Sequence, residues 1–203
     1  VDGMANVGVS SINAANEMKK VVDVARESGV NAEAVSSKVL TNMEALNKYN
    51  FEGGVSGLAK MAAQATALRI DMSQTLNFAE KVFNPEGAIE VAAAMQRLGV
   101  AQSDLLDPLR MMDLSQNDPA ELQNQITQMS KQFVQMGKDG HFEIMPGAKR
   151  QLREISEAMG ISYDQLTKMA LGSADLDNKF KQIQFPSKFT DEQKTLIANM
   201  AEM

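Results

Sequence analysis

Cysteine and tryptophan are absent from this chain of 203 residues, aromatic residues make up only 5%, and His141 is the single histidine. The lack of cysteine excludes disulfide bonds, thiolate zinc sites and thiol nucleophiles. No apolar run approaches the roughly 18–20 residues needed to span a membrane. His141 has no nearby serine and no convincing carboxylate partner in the sequence, so a catalytic role is not expected. We therefore predict no enzyme activity, no metal site and no cofactor.

What the chain does contain is typical of a globular helical protein. Apolar residues make up 44% and charged residues 23%, and the net charge of −6 repels polyanions. Helical spacing recurs almost throughout, with start signals at Asn31, Asn84-Pro85 and Asp118-Pro119. Glu121 occupies the capping-box position of the third start. The pattern predicts an all-α fold, an irregular bundle of about nine or ten short helices.

One segment departs from helical spacing. In residues 137–145, Asp139-Gly140 forms a tight-turn pair, and Phe142 and Ile144 alternate with polar residues. A small β-ribbon is predicted there, with a plain loop as the alternative because an isolated hairpin is marginally stable.

The domain organisation follows from the break at Gly53-Gly54. We expect an N-terminal helical unit at 1–52, a main helical domain at 53–183, and a linker and helix at 184–203. Thr190 and Gln193 have the capping-box spacing for that last helix.

A helix corner recurs along the chain. SGVNAEAV (28–35), LGVAQSDL (98–105) and MGISYDQL (159–166) share one pattern, and ALRIDMSQTL (67–76) is a looser copy with Arg69 in the glycine position. Glycine accepts the left-handed cap conformation, the β-branched residue packs back onto the preceding helix, and a polar residue caps the next helix. The corners are 40, 30 and 61 residues apart, which is too irregular for a solenoid.

The first corner, within VDVARESGVNAEAVSSKVLTN (22–42), resembles the helix-turn-helix of the lactose-repressor family. Ala25, Gly29, Val30, Val35-Ser36 and Leu40 carry this resemblance. Against it, Glu33 has the wrong sign for DNA, and Ser37 stands where that family commonly has arginine. Six Lys/Arg balance six Asp/Glu between residues 17 and 60, so there is no basic footprint. The helix-corner interpretation is preferred.

An acidic stretch also has two interpretations. Its members are Asp104, Asp107, Asp113, Asp118 and Glu121. A divalent cation is one possible ligand, but the close spacing of a calcium loop is missing. Helix-capping roles are therefore favoured.

The strongest interaction signal lies in DPAELQNQITQMSKQFVQMG (118–137). Five apolar residues advance by 4, 3, 4 and 3, the spacing of a coiled-coil seam over about two heptads: Leu122, Ile126, Met129, Phe133 and Met136. The other faces are rich in glutamine. This seam binds either a helix of its own chain or a second copy. The fifteen methionines are expected mostly in the core, with some at interfaces.

Residues from about 24 to 183 resemble helical segments of bacteriophage tail tape-measure or related internal virion proteins. The segments that carry the resemblance are the ARESGVNAEAV-type corners, FEGGVSGLAKMAAQATAL, FNPEGAIEVAAAMQRLGV and AKRQLREISEAMGISYDQLTKMAL. The resemblance implies a long, multimeric, mostly helical protein that sets tail length and occupies the tail lumen. Frequent corners favour a compact domain of such a protein, near the tail tip, over a length-measuring segment.

The expected function is therefore that of a non-enzymatic structural and assembly domain of a phage virion. The expected partners are further copies of the chain, in a trimer or hexamer, and other tail proteins, with no sequence-specific nucleic acid and no membrane span in this segment. Its location would be the phage tail, and the host cytoplasm during assembly. The alternatives are a cytoplasmic helical adaptor that binds a partner helix, and a DNA-binding protein that uses residues 22–42.

Overall fold

The computed structural model describes residues 11–101 and 103–182, and the linker and capped helix expected at 184–203 lie outside these ranges. The prediction of an all-α fold with one small ribbon is confirmed, because the described residues form ten α-helices and a two-stranded sheet. The helices are α1 (Ser11–Glu27), α2 (Ala32–Thr41), α3 (Ala45–Lys48), α4 (Val55–Ala67), α5 (Met72–Val82), α6 (Pro85–Arg97), α7 (Pro108–Asn117), α8 (Pro119–Lys131), α9 (Lys149–Met159) and α10 (Tyr163–Gln182). Short 3-10 turns at Asp104–Leu106 and Pro146–Ala148 precede α7 and α9. None of the helices in the described ranges combines the length and apolarity needed to cross a membrane.

The chain divides into two compact units, and the division differs from the one expected at Gly53. In the described chain, the first unit comprises residues 11–72 with 176–182, and the second comprises 73–175. The difference arises because α4 packs against α1 and α2. The Gly53-Gly54 break is thus a bend inside the first unit.

The core of the first unit is built around α4. This helix is apolar on most of its circumference, and Leu58, Ala59 and Ala62 are fully buried. A helix that is apolar nearly all round is suited to a central position. Val21 of α1 and Val35 of α2 are equally inaccessible, so three helices share one apolar core.

In the second unit, α6 packs against α7 and α9, and α7 packs against α8. The largest fully buried side chains of this unit include Phe78, Met95, Leu105, Met111, Leu122, Ile126, Met129 and Leu152. Eight of the twelve methionines in the described ranges are buried, and only Met136 is classed as exposed. Most described methionines therefore fill the core, as predicted.

All four corners have the same backbone geometry. The N–H of the β-branched residue donates to the carbonyl five residues earlier, in the pairs Val30–Ala25 (3.0 Å), Ile70–Ala65 (2.9 Å), Val100–Met95 (3.1 Å) and Ile161–Ser156 (3.1 Å). The preceding residue donates to the carbonyl three residues earlier at each corner. These two bonds define the Schellman motif. The predicted backbone turn is therefore confirmed at all four places, including the one at Arg69, although the turn at Gly99 leads into the 3-10 turn Asp104–Leu106 and not directly into an α-helix.

The helix starts that the capping residues predict are also present. Asn31 Oδ1 accepts from the N–H of Ala34 at 2.9 Å, and Asp118 Oδ1 accepts from the N–H of Glu121 at 3.1 Å. Asn84 stands at the N-cap before Pro85 but makes no side-chain cap bond. The expected reciprocal bond from Glu121 is wrong, because the N–H of Asp118 donates to the Leu114 carbonyl instead.

The predicted ribbon is confirmed with a small shift. Strand β1 (Val134–Met136) pairs antiparallel with β2 (Phe142–Ile144), so the first strand lies just before residue 137. The turn between them contains Asp139 and Gly140, and Gly140 has a φ of 81°.

Candidate interaction surfaces

The seam predicted from Leu122 to Met136 does not lie on one continuous helix. Helix α8 ends at Lys131, where Gln132 and Phe133 donate to carbonyls three residues earlier, Met129 and Ser130. The carbonyl of Phe133 then accepts from the N–H of Met145 at 2.9 Å, which begins the ribbon. The expected helical path as far as Met136 is therefore wrong, because a ladder bond to a distant residue replaces the next helical turn.

Four of the five seam residues are inaccessible in the structure. Leu122, Ile126, Met129 and Phe133 are all 5% exposed or less, whereas Met136 on β1 is 54% exposed. The structure thus places four of them in the core of the second unit and separates Met136 from them. Self-association through this seam stays a prediction, and Met136 is its accessible residue.

The glutamines on the other faces of the seam differ in burial, since Gln128 and Gln132 are exposed and only Gln123 is buried. Gln123 is fully buried, as are Thr127 and Ser130, and Gln128 is the one exposed residue of this helix. The hydroxyls of Thr127 and Ser130 donate to the carbonyls of Gln123 and Thr127, at 2.9 and 2.8 Å. Because these two hydroxyls are satisfied within their own helix, they can be buried without a partner on another element. Helix α8 is therefore shielded from solvent along most of its length.

Large apolar side chains are exposed at five positions in the described ranges, and Met136 is the only one that the seam includes. The others are Leu40, Phe83, Ile89 and Leu109. Phe83 directly precedes the Asn84-Pro85 helix start, and Leu109 is the second residue of α7. Periodicity does not specify which way a side chain points at a helix end, so the sequence pattern does not single these residues out.

Helix α2, which corresponds to the recognition helix of the DNA-like motif, carries a single cation. Lys38 is the single Lys or Arg of α2, and its Nζ donates to the carbonyl of Ile70 at 3.1 Å. Glu33, Ser37 and Leu40 are exposed on this helix. A recognition helix that presents a carboxylate and no cation is unsuited to phosphate.

The acidic stretch performs capping and ion-pairing roles. Asp107 Oδ1 accepts from the N–H of Leu109 at 2.9 Å, and Asp118 caps α8 as described above. Arg110 contacts Asp104 at 3.5 Å and Asp113 at 2.7 Å. Within the described residues, no group of three or more His, Asp and Glu has the arrangement of a metal site.

The only histidine belongs to the ribbon turn. His141 is exposed, and its N–H donates to Asp139 Oδ1 at 3.2 Å. Its carbonyl accepts from the N–H of Gly137 at 2.8 Å. Through these two hydrogen bonds, the backbone of His141 helps to form the turn.

Negative charge is concentrated in one part of the second unit. Residues 73–130 contain eight Asp/Glu and three Lys/Arg, a net charge of −5, whereas residues 11–72 contain seven of each. Phe83, Ile89 and Leu109 lie within the acidic segment. The net charge of this segment therefore disfavours contact with polyanions.

Comparison with protein-family models, with curated proteins and with solved structures identifies no match to this chain.

Proposed function

We propose that this chain is a non-enzymatic structural and assembly domain of a phage virion, of the tail tape-measure type, that acts through contacts between copies and with other tail proteins. Its location would be the phage tail, after assembly in the host cytoplasm. No residue is proposed to perform chemistry, and no cofactor is required.

The observation that carries the proposal is the repeated helix corner. The segments that resemble tape-measure proteins coincide with structural modules: 51–68 contains α4, 83–100 is α6 with its corner, and 148–171 contains α9, its corner and the start of α10. The repeated corners connect the helices of a packed domain. This arrangement assigns no loop to the binding of a ligand. Exposed apolar side chains such as Ile89 and Met136 supply contact points for partners.

Two alternatives remain, and the structure bears on each. A helical adaptor that uses a methionine-rich face is disfavoured because the described methionines are mostly buried. A DNA-binding role for residues 22–42 is disfavoured because Lys38 is engaged by Ile70 and Glu33 is exposed.

The test is the mass in solution, measured by light scattering over a range of protein and salt concentrations, with and without duplex DNA. A discrete oligomer that ignores DNA is the expected result. A chain that stays monomeric at every concentration contradicts self-association, and a salt-sensitive DNA complex contradicts the assembly role altogether.

A variant pair determines whether the buried seam can take part in that oligomer. Ile126→Asp with Phe133→Asp places carboxylates in the core of the second unit, so we expect loss of helical circular dichroism, with a cost above about 4 kcal/mol. Met136→Asp, on the exposed residue of the same seam, is the control and should leave helicity unchanged. A double variant that stays folded but becomes monomeric would show that the seam contacts another copy.

A further inference from the structure

The β-ribbon has two outer edges whose backbone groups can be assigned from its hydrogen bonds. The N–H of Gly137 donates to the His141 carbonyl at 2.8 Å, and the N–H of Met145 donates to the Phe133 carbonyl at 2.9 Å. Hydrogen-bonded pairs alternate along an antiparallel ladder, so Gln135 and Glu143 form the bonded pair between these two. The backbone groups of Val134 and Met136 therefore point away from β2, along the outer edge of β1. Within the described chain, neither N–H has a hydrogen-bond partner.

The two faces of the ribbon differ in polarity. Val134, Met136, Phe142 and Ile144 share the apolar face, which is buried at Ile144 (5% exposed) and open at Met136 (54% exposed). Gln135 and Glu143 lie on the other face, where Gln135 Nε2 donates to Glu143 Oε1 at 2.7 Å. An apolar side chain thus stands beside unpaired backbone groups on β1.

We propose that the outer edge of β1 binds β1 of a second copy of this chain, antiparallel and centred on Gln135. This inference rests on the proposed function and names one contact through which copies associate in pairs; a hexamer would need a second, different contact, and a trimer would not use this one. In this register Val134 faces Met136 of the second copy, and the reverse, so four backbone hydrogen bonds form between groups that already point outward. The two ribbons then join into one four-stranded sheet.

Charge distinguishes this edge from the other one. Two β1 strands related by a two-fold axis place Gln135 opposite Gln135 of the second copy, with no net charge on either side. The same arrangement on the outer edge of β2 places Glu143 opposite Glu143 of the second copy, and like charges directly opposite destabilise a strand pair. The outer edge of β1 is therefore the edge that is suited to pairing with the same edge of a second copy.

The contact also compensates for two weaknesses of the ribbon. A two-stranded ribbon is marginally stable, and additional strands support it. Pairing also covers Met136 against Val134 of the second copy, which removes apolar surface from water. Because each edge strand has only three residues, we expect a weak association that depends on protein concentration.

Cysteine cross-linking tests the register directly, because the natural chain has no cysteine. Gln135 and its counterpart form a non-hydrogen-bonded pair with Cα atoms about 4.5 Å apart, inside the range of about 4.4–6.8 Å that a disulfide spans. Under mild oxidation, the full chain with Gln135→Cys should form a covalent dimer at least tenfold faster than the chain with Glu143→Cys. These variants are matched, since each removes one partner of the same hydrogen bond.

The proposal is overturned if Glu143→Cys links at least as fast as Gln135→Cys. It is equally overturned if neither links faster than Lys138→Cys, which measures random collisions at the exposed turn.

A second measurement uses light scattering on reduced chains. Gln135→Lys keeps an attractive partner in Glu143 but places two cations opposite each other, so self-association should weaken roughly fivefold at low salt and recover at high salt. Met136→Pro removes one outward N–H and should also weaken it, whereas Phe142→Pro removes an outward N–H from the other edge and should not. An oligomer that forms, ignores these variants and does not cross-link at residue 135 overturns this edge but leaves the assembly proposal standing. A chain that is monomeric throughout overturns both.

Discussion

The corner at 159–166 and the corner at 68–75 have the same hydrogen bonds but different residues at two key positions. Ile161 and Ile70 donate to the carbonyls of Ser156 and Ala65 at 3.1 and 2.9 Å. The left-handed residue is Gly160 in one corner, with φ 71°, and Arg69 in the other, with φ 54°. Six residues further on, a fully buried Leu166 corresponds to a fully buried Thr75. The two corners therefore share their backbone bonds, and we expect the side chains at these two positions to make the corners differ in stability.

Both departures at the second corner carry a cost. Arg69 is the only non-glycine residue with positive φ in the described ranges, and an L-residue in this conformation is strained by about 1–2 kcal/mol. The hydroxyl of Thr75 is buried without a hydrogen-bond partner in the described chain, which costs about 1–3 kcal/mol. The comparison predicts that substitutions at Gly160 and Leu166 destabilise the chain, whereas substitutions that relieve Arg69 or Thr75 stabilise it.

The largest effect is expected where Leu166 is replaced by the residue of the other corner. Leu166→Thr removes apolar volume from the core of the second unit and buries a hydroxyl, so the free energy of unfolding should fall by about 3 kcal/mol. Urea unfolding followed by circular dichroism measures it. Leu40→Thr, at a leucine that is 41% exposed, is the control and should change stability by less than about 0.5 kcal/mol. Equal effects at both sites would mean that burial does not distinguish them.

The second largest effect is expected at the glycine. Gly160→Ala should lower the free energy of unfolding by about 1–2 kcal/mol, because a Cβ there meets no atom within 4 Å and only the left-handed conformation opposes it. Gly147→Ala is the matched control, since a Cβ at that glycine also meets open space but φ is not positive. A similar loss in both variants would trace the effect to something other than φ.

The third effect has the opposite sign. Thr75→Val keeps the β-branched shape and removes the unpaired hydroxyl, so we expect a gain of about 1 kcal/mol. Thr127→Val is the control, because that buried hydroxyl donates to the Gln123 carbonyl at 2.9 Å and its removal should not stabilise. If both variants gain stability equally, the gain does not depend on whether the hydroxyl has a hydrogen-bond partner.

The corners could be predicted from the sequence because every interaction that defines them is local. A glycine, a β-branched residue and a cap lie within three positions at Gly29-Val30-Asn31, and the bonds they make reach back only five residues. Arg69 was recognisable as a looser copy for the same reason. Helix starts at Asn31 and Asp118 were equally local.

The seam from Leu122 to Met136 was harder to predict, because the burial of its residues depends on contacts with residues that are distant in the sequence. The end of α8 is followed by a bond between Phe133 and Met145, twelve residues apart, which no helical period reveals. The burial of Gln123 depends on what packs around α8, and its amide side chain reads as wettable in the sequence. The seam therefore combined core positions with Met136, whose exposure and strand conformation come from the ribbon.

The smallest effect is expected at Arg69, because two contributions partly cancel there. Arg69→Gly relieves the strain of the left-handed conformation but gives the unfolded chain more freedom, which costs about 0.5–1 kcal/mol. The net gain should be about 0.5 kcal/mol, measurable as a shift of the urea midpoint with an unchanged slope. Arg69→Ala separates the backbone from the side chain, since it keeps the strain and removes the exposed guanidinium. We expect no gain from alanine, so a gain equal to that of glycine would show that the arginine side chain, rather than the backbone conformation, is what destabilises this corner.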